Sequence, residues 1–230
     1  MTNQQRNAQI ALAALLHDIG KIEQRARDNP WRPAPGLEQE KQPEHATYSI
    51  YFIQNYVPKP FRPAALPGAY HHRPEHFEGA DHQLVELVSL ADHLSAGERA
   101  DGPDKTKSPP MQMVTIFDRL DSSHTPPSNS ELHYLPLREV SLSPEVLIPG
   151  RQASEQEARL AYTNLSEKLQ QAAGQPISLM DTYLENMLLA LQRYAWAVPS
   201  AYYHNLPDVS LYDHLRMTAA LAVCLAEFPA

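Results

Sequence analysis

Seven residues combine the donor atoms and the spacing that a metal centre needs: His17, Asp18, His45, His71, His72, Asp92 and His214. An imidazole offers a neutral nitrogen ligand, and a carboxylate can bridge two divalent ions. The doublet His17-Asp18 comes first and runs into Gly20-Lys21, which sets a flexible backbone point and a cation beside the ligands. Alone, a His-Asp pair says little, since chance places many on surfaces. A second doublet, His71-His72, is followed by Arg73 and Pro74. Adjacent side chains on a regular helix point about 100° apart, so both reach one site only near a helix end, which Pro74 supplies.

Asp92 shares a helical stripe with Val85, Val88 and Ser95 and so faces inward. A buried carboxylate needs a cation or a hydrogen-bond network. His214 lies on the stripe Leu211, Leu215, Thr218, Ala222 and Leu225, which turns its imidazole to the core. His45 by itself reads more readily as a capping or solvated residue; only the company of the others makes it a ligand. A set this rich in nitrogen suits Mn²⁺, Ni²⁺, Co²⁺, Fe²⁺ or Zn²⁺ better than Mg²⁺ or Ca²⁺. Its surplus of histidines allows two ions, about 3.5–4 Å apart and bridged by Asp18, a geometry suited to in-line attack of water on a phosphodiester. In that arrangement His17 and Asp18 anchor the chemistry, and Lys21 stabilises charge on phosphate oxygens. His76, His82, His93, His124, His133 and His204 lie in loops or among polar residues and read as solvated. Tyr202-Tyr203 reads as packing, and Glu98-Arg99 as an ion pair.

The elements that must position these groups are mostly helical. Leu12, Leu15, Leu16, Ile19 and Ile22 recur at helical spacing in a first helix over residues 7–27, broken or bent at Gly20. Residues 28–43 are a proline-rich loop. Helices are expected over 44–57 and 82–99, with a short segment over 62–72 between them. Residues 101–150 are rich in proline, with short apolar runs at 113–117, 133–137 and 146–148 that suggest short strands. Ser154 and Glu157 form a capping box for a helix with Ala158, Ala161, Leu165, Leu169 and Ala172 on one face. Another helix starts near Ser178, and Ser210 with Asp213 opens the last, ending about Glu227. The class is all-α with a minor β insertion.

Nineteen basic against 27 acidic residues give a net charge of −8, which argues against a domain that grips nucleic acid strongly by itself. Metal ions or partner subunits would have to supply the positive charge. No apolar run is long enough for a transmembrane helix, and the start of the chain lacks the features of a signal peptide. The single cysteine, Cys224, excludes an internal disulfide and reads as a small buried residue of the last helix. With no leader visible, a cytoplasmic location is expected. A serine or cysteine nucleophile has no support, because no Gly-x-Ser-x-Gly elbow is present.

The motifs ALLHDIGK (residues 14–21), HATYS (45–49), AYHHRPE (69–75), LADHLSAGER (90–99) and PDVSLYDHLRMTAALA (207–222) resemble the HD superfamily. Within it, they resemble the N-terminal nuclease domain of the large subunit of type III CRISPR effector complexes, of the III-A kind. TIFDRL and YLPL, between Val114 and Leu137, are similar to that family's β insertion, here residues 106–150 of one domain spanning 1–230. HD enzymes carry a further histidine upstream of the doublet, yet none of the sixteen residues before His17 is histidine. The resemblance implies a circularly permuted helical bundle in which His214 fills that place. It also implies a metal-dependent nuclease for single-stranded DNA in antiviral defence, partnered through the full-length protein by other subunits and guide RNA. The family's palm domains are missing from the sequence. Two rival readings stand beside it: an HD hydrolase of dNTPs or cyclic nucleotides, and a non-catalytic scaffold of the complex.

Overall fold

Residues 2–96, 111–119, 132–200 and 207–228 are described by a computed structural model. The expected end of the 82–99 helix, Glu98-Arg99, His124, Tyr202-Tyr203 and His204 lie outside these residues. Thr2 opens α1 (Asn3–Leu16) with a capping box, accepting from the Gln5 amide while the Gln5 side chain accepts from its own amide. Here the single long helix expected over 7–27 divides. α1 ends at Leu16 and α2 covers Gly20–Ala26. Three amides, of Ile19, Lys21 and Ile22, each donate to the carbonyl three residues back across the junction. Such bonds tighten a turn, and the His-Asp doublet sits in it.

Gly20 fixes that junction for a steric reason. A Cβ at this position would stand 2.2 Å from the His45 carbonyl oxygen and 2.3 Å from the Ser49 amide, both on α3 (Glu44–Tyr56). The Gly20 amide instead donates to Ser49 Oγ at 3.0 Å. Its role is close approach of two helices, rather than the simple flexibility expected from the sequence.

After α3 the chain makes a short α4 (Arg62–Ala65) and a 3-10 turn over Leu66–Tyr70, ending at His71. α5 (His82–Ser95) is capped by Asp81, whose carboxylate accepts from the Leu84 amide and from Arg6. The last three major helices are α7 (Glu155–Ala173), α8 (Met180–Ala195) and α9 (Leu211–Glu227). The expected boxes at Ser154 and the cap at Ser210 are present. α8 starts at Met180 rather than Ser178, and Leu179 offers no side-chain cap.

α1 is buried on two sides. Leu12, Leu15 and Leu16 join the main core with Ile50, Ile53, Tyr162, Tyr183 and Leu215. Ile10, Ala13 and Ala14 belong to a second cluster with Leu84, Val88, Ala91 and Ala222, from α5 and α9. The part of α1 enclosed this way, from Ile10 to Leu16, is apolar all round rather than on one stripe.

Among the described residues there is no sheet. Val114 pairs with Tyr134, and Tyr134 with Gly150, only as isolated antiparallel bridges. The run at 146–148 is no strand: Pro144–Leu147 form a helical turn, α6, for which proline in the first turn is well suited. Cys224 is also not buried; α9 turns it to the surface. The apolar run around it exceeds what one packed face can cover. No helix among the described residues is long and apolar enough to cross a membrane.

The close approach at Gly20 predicts that Gly20→Ala lowers unfolding free energy by about 2 kcal/mol or more, because the clash is with backbone. Gly150→Ala, where nothing lies within 4 Å of the added carbon, should change it by less than about 0.5 kcal/mol. Urea denaturation of both variants checks the contrast.

Candidate metal centre

All seven sequence-predicted ligands converge. His17, Asp18, Asp92 and His214 form one group, and Asp18, His45, His71 and His72 a second, with donor atoms inside each group within 4.8 Å of one another. Asp18 belongs to both.

In the first group His17 Nε2 lies 3.5 Å from Asp18 Oδ2 and 3.5 Å from Asp92 Oδ1. His214 Nε2 lies 3.0 Å from Asp92 Oδ1 and 3.7 Å from Asp18 Oδ2. The inward stripes of α5 and α9 therefore meet as expected, and the last helix brings His214 to the doublet near the start of the chain. In the second group His45 Nε2 and His71 Nε2 approach Asp18 Oδ1 to 3.3 and 3.7 Å. His45 Nε2 and His72 Nε2 stand 2.7 Å apart. The His71-His72 doublet falls just past the end of the 3-10 turn, where the backbone leaves helical geometry before Pro74 and lets both rings face one side.

Each buried imidazole is oriented from behind. His17 Nδ1 donates to the Ala14 carbonyl at 2.6 Å, and His71 Nδ1 to the Gly68 carbonyl at 2.9 Å. These bonds leave both Nε2 atoms aimed into the site. His214 Nδ1 lies 3.0 Å from Ser95 Oγ, which in turn donates to the Asp92 carbonyl, while Thr218 Oγ1 donates to the His214 carbonyl. Ser95 and Thr218 are the supporting residues that spacing alone did not single out. Their signal was present: a hydroxyl one turn beyond each inward ligand.

The donors fit a cation. His17 Nε2, Asp18 Oδ1 and His71 Nε2 are buried with no hydrogen-bond partner, a costly arrangement for polar atoms unless something else coordinates them. His17, Asp18, His71 and His214 are each at most 2% exposed, whereas His45 and Asp92 keep part of their side chains in solvent and His72 is exposed. The site therefore opens on the side of His72. Lys21, expected to face phosphate, pairs directly with Asp18 Oδ2, so its ammonium already sits among the carboxylates.

Protonation follows the same geometry. Burial drives the His45 ring down to about 3, and lowers His71 and His72 as well, despite the Asp18 carboxylate. Neutral rings are what a metal requires. Burial also opposes charge on His17, yet Asp18 and Asp92 outweigh it and raise His17 to about 10. Both carboxylates are held below their usual range by the surrounding cations and imidazoles, against their own desolvation. Among the described residues, His76, His82, His93 and His133 stand apart from both groups.

Helices from distant parts of the sequence thus surround a His-Asp doublet, and residues 3–97 match the HD domain family model. The match spans six of the seven candidate ligands and ends before His214. Across nearly all its length the chain is similar to the CRISPR system single-strand-specific deoxyribonuclease Cas10/Csm1 (subtype III-A). Identity is 24% with the protein from Methanocaldococcus jannaschii, over 95% of this chain and 28% of that one. It is 26% with the protein from Thermococcus onnurineus, over 94% of this chain and 26% of that one. The chain thus spans about a quarter of the length of these relatives. A crystal structure of a Csm1-Csm4 cassette in complex with one ATP shares the fold, with TM-score 0.57 and 22% identity over 96% of this chain and 28% of that chain.

Chelator-treated protein should be most stable around pH 6.5. His45, His71 and His72 have folded pKa values below the unfolded value of about 6.5. Their contribution is present above that pH and lost as pH falls below it. His17 has the opposite sign. Its folded value of about 10 lies above the unfolded one, so its contribution is complete below about 6.5 and lost as pH rises to 10. Added Mn²⁺ should flatten the alkaline flank, because a cation takes the place of the His17 proton. Urea midpoints measured against pH, with and without metal, test this; a flat metal-free profile would contradict it.

Proposed function

We propose that this chain is a metal-dependent phosphodiesterase domain that cuts single-stranded DNA. The observation that carries the reading is the pair of four-ligand groups sharing the Asp18 carboxylate. Two divalent ions held there would supply Lewis acidity toward a phosphodiester and acidify water near neutral pH. His17, Asp92 and His214 would hold one ion, and His45, His71 and His72 the other, with Asp18 common to both. Mn²⁺ or Ni²⁺ is favoured, with Co²⁺, Fe²⁺ and Zn²⁺ also compatible with this donor set.

The chain's own groups do the rest. Ala14 and Gly68 carbonyls, with Ser95, keep the imidazoles aimed inward. Lys21, paired with Asp18, can turn from the carboxylate to a scissile phosphate and offset its growing charge. The open side at His72 admits a flexible strand.

The choice of DNA, and of a single strand, is supported by the names of the two relatives. On the same ground we take residues 1–230 as one domain with an insertion at 106–150. We place it in the cytoplasm, within a CRISPR effector complex whose other subunits and guide RNA it meets through a longer protein. The acidic surface then explains why tethering matters, since a chain of net charge −8 binds a polyanion weakly.

With Mn²⁺ or Ni²⁺, the wild-type chain should cut single-stranded DNA slowly and spare duplex, and the rate should fall as salt rises. His17→Ala combined with Asp18→Ala should reduce cleavage by roughly two orders of magnitude or more, as several kcal/mol of charge stabilisation disappears. Circular dichroism should show the helices retained. A double variant that cuts as fast as wild type would place the nuclease elsewhere. Rapid dNTP hydrolysis without DNA cleavage would assign the site to small nucleotides instead.

A further inference from the structure

A cleft of about 410 Å³ lies beyond the metal centre along α2, lined by Arg25, Arg27, Trp31 and Arg159 together with Asp28 and Glu155. It begins close to the site. Lys21, which touches Asp18, and Arg25 are four residues apart on α2, hence neighbours about 6 Å apart along the helix axis.

Two features of this cleft lack a structural explanation. The first is Arg25, which is only 3% exposed. Its Nη1 donates to the Pro199 carbonyl at 2.6 Å and to Tyr162 Oη at 3.4 Å, while Nε has no partner. Neighbouring guanidiniums are neutralised: Arg27 pairs with Glu23, and Arg159 with Asp28 at 2.7 Å and Glu155 at 2.5 Å. No carboxylate among the described residues pairs with Arg25. The guanidinium also lies over the Tyr162 ring, 5.8 Å from its centroid; a buried cation met only by neutral acceptors and a ring face still favours an anion, and its planar fork suits phosphate.

The second is Trp31, 52% exposed on the proline-rich loop. This loop is tied to α2 and α3 and braced within itself. Gln24 donates to the Pro30 carbonyl at 2.9 Å, the Trp31 amide to Asn29 Oδ1 at 3.1 Å, and the Ala34 amide to Thr47 Oγ1 at 2.9 Å. The indole is thus held out to solvent by a loop already ordered, which keeps the entropy of binding low. Exposed, rigidly mounted aromatic rings stack on bases without regard to sequence.

We infer that this cleft is a nucleotide subsite for the single strand, in which a phosphate meets Arg25 and its base stacks on Trp31. It rests on the nuclease reading and gives that reading a path: the strand leaves the metal centre past Lys21 and runs along α2. The loop that the sequence presents only as a proline-rich connector thereby gains a function.

The test is binding of a fluorescent oligothymidylate to the full chain in the presence of chelator, so that affinity is read without cleavage. Wild type should bind with quenching of indole fluorescence. Trp31→Ala should weaken binding about ten-fold or more, and Trp31→Phe, which keeps a ring, should restore most of the affinity. The remaining tryptophan, Trp196, donates to the Arg138 carbonyl, so quenching should vanish in Trp31→Phe. Unlabelled dTMP and inorganic phosphate serve as competitors. If either displaces the oligonucleotide at equal concentration, the cleft takes free anions and the strand assignment falls. If Trp31→Ala binds and, with Mn²⁺, cuts like wild type, the subsite is refuted while the nuclease stands. Trp31-dependent binding by a chain that never cuts would keep the subsite and refute the nuclease.

Discussion

A carboxylate that is 2% exposed and ringed by four imidazoles sets the terms for the rest of this molecule. Asp18 cannot be left there as an isolated anion; burial of an unpaired carboxylate carries a penalty of several kcal/mol. Lys21 answers part of that demand from one side, and the His17 proton answers part from the other. Two divalent cations would answer it fully, and would also satisfy the buried donors of His17 and His71 that have no hydrogen-bond partner. Stability and chemistry are thus coupled through one side chain.

The backbone brings that side chain to the place where these polar groups meet it. The tight turn between α1 and α2 puts His17 and Asp18 at a break in the helix, and Gly20 lets α3 come close enough to bring His45 beside them. α1 is enclosed by two apolar clusters and cannot shift without disturbing both. α5 and α9 pack on it and on each other, so Asp92 and His214 arrive from elements far apart in sequence but adjacent in space. The half of the site at His45 and His72 is the half open to solvent.

Much of this was legible in the residues. Inward stripes placed Asp92 and His214 on faces that do meet, because burial of a helix face is a local pattern. The doublets were legible as chemistry but not as geometry; whether His71 and His72 share a direction depends on a 3-10 turn that periodicity does not encode. The long first helix was overextended, since Leu16, Ile19 and Ile22 keep helical spacing through the turn that interrupts it. Apolar residues at 146–148 suggested a strand where Pro144 starts a helical turn, and Cys224 sat in a run too apolar for all of it to be covered. The support of His214 by Ser95 and Thr218, and the isolation of Arg25, depend on contacts between distant segments. They became visible only with the fold.

Metal content of the intact chain tests the sharing of Asp18 most directly. After loading with Mn²⁺ and gel filtration, elemental analysis should find about two ions per chain in the wild type. His214→Ala and His72→Ala should each retain about one, because each empties a different group. Asp18→Ala should retain neither firmly, although it removes only one of seven donor residues. If Asp18→Ala keeps as many ions as His214→Ala, or if the wild type holds none, Asp18 is not the common ligand and the two-group centre is wrong.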